Sequence, residues 1–413
     1  VAMGRGTGRG TGATGILVGG GLLITLLVGL LVALDPQRQQ TTWNDTYRYV
    51  ATIERILGHD AAEARSIALH WYCADEARTS GGATHAATCV AGWTRIGGLA
   101  PNTARYNAIF DARPGYPLLV APFAAVLGLN AGLAVVAWLV TIAAGWLCLL
   151  LARLAGLGVA GSLGSMVALY CLPTFFWLQQ DLTEGVTLAC TLVLLVGSVL
   201  VLRGRVVAGL VVSTLAYAAG LLIRYSTFSL QAVCLAGCLF VLALLGPEEL
   251  RTRRTIRLAG YHAGAFVILT VIPMLLGWPG FRESLTDTFS DHFTHAVPGD
   301  LYGHWLSLIG RYIASLGRLY GGDPILPLLV VAGLVLLWRG ERLLAALVSA
   351  AALTGIGSAL AHPLASQGSR LYVQVFLLAV FGLGLGVDLA HRSLLPRLAA
   401  ERVSRVRRED DVN

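Results

Sequence analysis

The sequence predicts an all-α fold: a polytopic transmembrane helical bundle of about ten spans, with interfacial or re-entrant helices in the outer loops. Three observations predict it. Of 413 residues, 56% are apolar and only 13% charged, about half the charged share of a soluble domain. Apolar blocks long enough to cross a bilayer recur along the chain. These blocks run apolar throughout rather than alternating with polar residues, which excludes a β-barrel. The mean hydropathy of +0.70 excludes a soluble globular enzyme and a disordered chain.

Residues 1–15 are rich in Gly, Thr and Arg and read as a disordered cytoplasmic N-terminus. Ten spans follow, at 16–34, 131–152, 159–177, 184–202, 206–223, 227–246, 258–277, 323–338, 342–360 and 370–389. The block 116–129, fourteen residues behind a Pro-Gly break, is shorter than the roughly 20 that a crossing needs. It reads as a re-entrant or interfacial helix. The net charge of +7 comes entirely from Arg, with no Lys in the chain. With the N-terminus inside, ten crossings put Arg153, Arg203–Arg205, Arg251 to Arg257, Arg339–Arg342 and the basic tail 391–413 in the cytoplasm, as the positive-inside rule requires. Counting 116–129 as a crossing would invert that pattern. The excess Arg is therefore a topology signal, not a nucleic-acid one. Abundant Gly, Ala, Val and Arg suggest a high-GC bacterial genome; the spans then imply its plasma membrane, and the polar and ionisable residues gathered in the outer segments imply an extracytoplasmic active face.

The outer segments are 35–115, the turn at 179–184, 278–322 and 361–369. Two of them carry a helical period. Tyr49, Val50, Ile53, Ile56 and Leu57 share one face, with Arg48, Thr52 and Arg55 opposite. Trp305, Leu308, Ile309, Tyr312, Ile313, Leu316 and Leu319 repeat the pattern. Such helices either lie on the membrane or pack an outer subdomain. Cys73 and Cys89, sixteen residues apart in the first outer loop, are candidates for a disulfide in an oxidising exterior. Cys148, Cys171, Cys190, Cys234 and Cys238 fall inside spans and read as packing residues.

The ionisable residues not explained by topology gather at the outer rim. Asp45 lies at the start of the first amphipathic helix, where it either caps the N-terminus or serves as a general base. Glu184 opens a span near hydrocarbon, where a charge is costly. Arg224 closes a span and Arg370 opens one, both on the outer side and against the positive-inside rule. Each needs an anionic partner, a carboxylate or a phosphate, or else snorkels to headgroups. In Asp291-His292-Phe293-Thr294-His295, with Asp300 and His304 beyond, a helix would set two His on one face. That spacing is unspecific for a metal, so no metal and no other cofactor is expected.

The order of these features resembles GT-C-type glycosyltransferases, membrane enzymes that use polyprenyl-phosphate sugars. An acid follows the first span (Asp45, before Tyr47 and Tyr49). A Tyr-Pro segment, Arg113 to Leu119 with Tyr116, leads into a short apolar helix. A Pro-containing span ends at an acidic turn (Pro173, then Asp181 and Glu184). An Arg closes a later span (Arg224), and His362 precedes an Arg-Leu-Tyr start to the last one (Arg370 and Tyr372). The resemblance covers about 1–230 well and the rest loosely, which divides the chain into a GT-C-like module at 16–230 and a variable C-terminal region at 231–390. The chain departs from the pattern at Asn44, where many relatives carry a second acid, and at Glu184-Gly185, where relatives often have Glu-Pro.

The resemblance implies an inverting sugar transfer at the outer face. Asp45 is the implied base, with Glu184 orienting the acceptor. Arg224 and Arg370 are the implied phosphate ligands. Tyr47, Arg113, Tyr116, Asp181, His362 and Tyr372 are the implied substrate-binding residues. The implied partners are a polyprenyl-phosphate sugar, the bilayer, and a glycan, lipid or protein acceptor; nucleic acid is not among them. A transporter or flippase of an anionic or lipid-linked solute, and a non-catalytic assembly protein, are the alternative classes.

Overall fold

The computed structural model describes residues 10–34, 43–80, 82–99, 103–297 and 299–410, with backbone alone at 10–11, 79–80, 83 and 395–410. Residues 1–9 of the expected disordered segment and 411–413 of the tail lie outside them. The described residues form helices and turns with no strand, so the chain is an all-α membrane helical bundle. Its first helix, α1 (Gly10–Leu34), takes in residues 10–15, which the sequence assigns to a disordered arm. Their poor propensity is overridden by the apolar run that continues the same helix.

Four helices build the segment expected as the first outer loop: α2 (Asn44–Ile56), α3 (Ala61–Ser80), α4 (Ala83–Arg95) and α5 (Ala104–Asp111). The Cys73–Cys89 disulfide joins α3 to α4. The face pattern of α2 suggests surroundings that the structure corrects. Arg48, expected on a solvated face, is buried, bonds Asn107 at 2.8 Å and stacks on Tyr106 at 5.0 Å. The helix packs against α3 and α6 (Gly115–Leu127), which fits the subdomain-packing alternative.

The apolar helices follow: α7 (Leu129–Ala155), α8 (Val159–Cys171), α9 (Pro173–Leu178), α10 (Thr183–Leu202), α11 (Val206–Leu245) and α12 (Arg253–Leu275). The block expected as one span at 159–177 is broken between α8 and α9. Pro173 has no N–H to continue the α8 ladder and instead opens α9. Buried residues fill 78% of the apolar stretch of α10 and 11% of that of α1, which puts α10 at the centre and α1 at the edge.

α11 has forty residues, about 60 Å if straight, twice the hydrocarbon thickness. It is not straight. At Arg224, with φ −163° and ψ 67°, the chain reverses, and the Phe228 ring packs on Gly220. A straight helix would separate those two positions by about 12 Å. The contacts with α12 agree. Thr214 meets Tyr261 at 2.9 Å, where 206–223 runs parallel to α12, and Ser229 meets Thr270 at 2.9 Å, where 225–245 runs back along it.

The C-terminal region contains α13 (Phe281–Phe289), α14 (Leu301–Gly322), α15 (Ile325–Gly340), α16 (Arg342–Ala361) and α17 (Leu377–Asp410). α14 and α15 meet at 98°, and α14 leaves Leu306, Ile313 and Leu319 exposed along one side. Among the described residues, seven helices are long and apolar enough to cross a membrane, with α11 counted once, and the α14–α15 pair is an eighth. Arg203 and Glu341 lie together beside Gly156, and Arg254 reaches the Leu202 carbonyl at 3.2 Å. Those Arg-rich turns therefore collect at one end of the bundle. The start of α10, the fold of α11 and the end of α16 meet at the other.

Candidate active site

Four residues distant in sequence join at that second end. Arg370 donates from Nε to Glu184 Oε1 at 2.5 Å, from Nη2 to Asp45 Oδ2 at 2.5 Å and from Nη1 to Gln367 Oε1 at 3.2 Å. Arg224 donates from Nη1 to the same Glu184 Oε1 at 2.7 Å. The two cations and two carboxylates balance, which is what allows Glu184 to be 1% exposed. Arg370 also lies over the Trp43 ring at 5.9 Å. Trp43 in turn packs on Trp177, whose Nε1 bonds Ser369 at 2.9 Å. The segment carrying Arg370 is thereby fixed to the start of α2 and to α9.

Local sequence explains each placement. Asp45 is the second residue of α2, but the helix start carries no side-chain cap; the carboxylate serves Arg370 instead of the backbone. Burial works to raise the Asp45 pKa, while Arg370, its hydrogen bond, and then Arg113 and Arg224 hold it below the ordinary value. Burial likewise opposes the charge on Arg370, but Glu184 and Asp45 outweigh it and keep the guanidinium protonated. Gly185 lies where a Cβ would come within 2.9 Å of the Leu178 carbonyl. This glycine lets α9 pack against the start of α10 and sets the position of Glu184.

Arg113 has a different environment. Its Nε is buried without a hydrogen-bond partner, and no described carboxylate forms an ion pair with it. Gly115 brings it to the site. A Cβ on Gly115 would meet the backbone of Leu222 and Ile223 at 3.0–3.1 Å, so α6 starts directly against the turn at Arg224.

Two cavities meet at Arg113 and Arg224, which line both. The outer one, about 270 Å³, has Asp45, Tyr106, Asp287, His292 and Arg370 in its wall. The inner one, about 150 Å³, runs along Thr227, Leu230 and Ala361, up to two helical turns below the α11 reversal. Ser284 and His362 line both as well. Burial first, then Arg113, Arg224 and Arg370, push the His362 pKa down to about 4, so its imidazole is neutral near pH 7.

The outer wall includes an unusual turn. Asp291, His292 and Phe293 have φ of 47°, 59° and 63°, the left-handed region that bulky residues rarely enter. The sequence suggested a shared helical face for His292 and His295; this turn removes it. His292 stacks on Tyr106 at 4.6 Å and bonds Asp287 at 3.0 Å. Among the described residues no three His, Cys, Asp or Glu side chains converge as a metal cage.

Of the ten substrate, phosphate and catalytic candidates read from sequence, Asp45, Glu184, Arg224 and Arg370 form the ion network. Arg113 and His362 line the cavities. The other four lie elsewhere. Tyr47 is buried within the outer subdomain, with Arg48 at 5.4 Å from its ring. Tyr116 stacks on Tyr49 at 5.4 Å, and Tyr372 bonds Tyr320 at 2.8 Å. Asp181 is buried, and burial, opposed by Arg78, raises its pKa to about 7. None of the four lines either cavity. Sequence reading missed Ser284, Asp287 and Thr288. Their signal was the polar i, i+4 face of α13, set next to apolar residues in a segment read only for its histidines. No family model, no curated protein and no solved structure matches the chain.

Proposed function

We propose that this protein is a membrane glycosyltransferase of the GT-C type, moving a sugar from a polyprenyl-phosphate donor to an acceptor with inversion. The observation that carries the reading is the unpaired Arg113 guanidinium facing Arg224 where an apolar-floored cavity meets a polar one that contains Asp45. Arg113 is half-buried and has no carboxylate ion pair, so its charge is free to meet an anion. Two guanidinium forks suit a phosphate, because each can donate parallel hydrogen bonds.

In this reading Arg113 and Arg224 hold the phosphate, and the polyprenyl chain follows Leu230 and Ala361. The acceptor occupies the outer cavity. No described residue bonds Asp45 Oδ1, which takes the proton as the acceptor oxygen attacks the anomeric carbon. The bond from that carbon to the phosphate oxygen breaks, and polyprenyl phosphate leaves, its charge stabilised by the two arginines. Arg370, whose contacts all go to protein acceptors, is a positioning residue for Asp45 and Glu184. That assignment differs from the phosphate role implied for it by the resemblance.

The same proposal includes topology. Counting the α11 hairpin as two crossings, and α8–α9 and α15 as one each, gives ten. Both termini are then cytoplasmic, and the site faces outward across a bacterial plasma membrane. The test is transfer by purified protein from radiolabelled polyprenyl-phosphate mannose, glucose or arabinose into a cell-envelope fraction. Incorporation that Asp45→Asn abolishes supports the reading, and none with any donor refutes it.

A second reading rests on the orphaned Gln231 Nε2 and Gln374 Oε1, which lie below Glu184 on Thr191. Polar groups at that depth are a transporter feature. Movement of lipid phosphate across proteoliposomes without sugar transfer would favour it.

A further inference from the structure

The proposed function leaves unassigned the two hydroxyl groups that flank His362. Ser284 Oγ lies 2.7 Å from His362 Nε2, and Thr288 Oγ1 lies 3.5 Å from Nδ1. Both hydroxyls come from one face of α13, at i and i+4, and the imidazole comes from the end of α16. Ser284 and His362 border both cavities, on the same perimeter as Arg113 and Arg224. A group attached to a phosphate held by those arginines would have to sit at this junction.

The hydrogen bonds can be assigned by following the protons. Thr288 Oγ1 donates to the Ser284 carbonyl at 3.0 Å, so it can only accept from the imidazole. Nδ1 then carries the ring proton, and Nε2 accepts from Ser284 Oγ. The Ser284 oxygen keeps its lone pairs for a ligand. Three neighbouring arginines disfavour an imidazolium, so the group stays a neutral hydrogen-bonding pair that contributes no charge of its own. It is also a poor nucleophilic dyad, because among the described residues no carboxylate bonds His362.

Resting on the lipid-phosphate reading above, we infer that Ser284 and His362 are the specificity residues that recognise a hydroxyl of the donor's sugar. The pair accepts a hydrogen bond from one ring hydroxyl and distinguishes the glycosylated carrier from the bare carrier. A neutral acceptor in a cationic surround adds affinity for a hydroxyl without adding affinity for phosphate, which is what such discrimination requires. Sites that hydrogen-bond a substrate hydroxyl discriminate strongly, because the analogue lacking it leaves their own polar groups unpaired.

The experiment measures binding of purified protein in nanodiscs to polyprenyl phosphate and to its mannosyl, glucosyl and arabinosyl forms. Wild type should bind at least one glycosylated form about tenfold more tightly than the bare lipid. Ser284→Ala should abolish that preference while leaving bare-lipid affinity within about twofold. His362→Gln, which keeps a neutral hydrogen-bonding group near the Nε2 position, should retain part of it and shows that loss is not misfolding. If bare polyprenyl phosphate does not bind, the lipid-phosphate reading itself fails. If the bare lipid binds and no glycosylated form is preferred, or Ser284→Ala weakens both equally, the pair is a packing contact and the inference is overturned.

Discussion

Arg370 Nη2 donates to Asp45 Oδ2 at 2.5 Å, joining residues 325 positions apart. The bond turns an acid at the start of α2 into a fixed, ionised group on the wall of the outer cavity, with one oxygen engaged and the other bonded by no described residue. An ion pair also weakens a base, so the arrangement favours precise placement over strong basicity.

Replacing Asp45 by Asn tests that role. Asn keeps the size and can still accept from Arg370, but it cannot take a proton. Sugar transfer should fall by about 10²–10⁴, with affinity for polyprenyl phosphate unchanged. Initial rates and a lipid titration on the same preparation check it; near-normal turnover would remove Asp45 as the base.

Arg370 and Arg113 should differ in what they do for the fold. Arg370→Ala leaves Asp45 and Glu184 without their shared cation and should destabilise the protein by about 3–5 kcal/mol. Arg113→Ala removes a cation that has no carboxylate partner, so stability should change by less than about 1 kcal/mol while lipid-phosphate binding weakens. Thermal unfolding in one detergent compares them. Equal losses would mean that Arg113 is a structural residue.

Much of the fold was legible because apolar length is a physical requirement of the bilayer. The C-terminal ends of α1, α10, α12 and α16 follow from it, whereas α1 and α12 start earlier than apolar length alone suggests. Three of the four residues of the ion network were legible for a related reason: Arg224, Arg370 and Glu184 are each costly where they stand, and only mutual pairing or a ligand offsets that. What sequence could not give was which cation is satisfied. Arg370 and Arg113 are the same residue type in similar surroundings, and their difference lies in distances to Asp45 and Glu184. The burial of Arg48 was hidden for the opposite reason: helical period marks it as polar, and its stacking on Tyr106 comes from α5, far along the chain. The reversal at Arg224 was half visible, as a short gap between two apolar blocks.

His362 makes site stability depend on pH. Its pKa of about 4 in the fold lies below the ordinary 6.5, so the fold favours the neutral ring. That contribution is complete above about pH 6.5 and is lost as pH falls towards 4. Asp181, raised to about 7, acts oppositely, because the fold favours its protonated form. Wild type therefore has to be compared with His362→Gln. Their difference in unfolding temperature should shift against wild type between about pH 7 and about pH 4.5; a constant difference would show that His362 does not titrate in this way.

The Cys73–Cys89 disulfide closes a loop of sixteen positions between α3 and α4. For a loop of that length the cross-link stabilises by about 3 kcal/mol. The double Cys→Ala variant should unfold at a lower temperature yet keep its affinity for polyprenyl phosphate, since neither Cys lines the cavities. Loss of lipid binding at temperatures where the variant is still folded would show that the hairpin reaches the site.

The most direct test is a structure of the protein in nanodiscs with polyprenyl phosphate bound. The phosphate should lie within hydrogen-bonding distance of both Arg113 and Arg224, with the chain descending past Leu230 and Ala361 and the Asp45–Arg370 pair intact. A phosphate bound to Arg370 in place of Asp45, or seated outside the two cavities, would contradict the account.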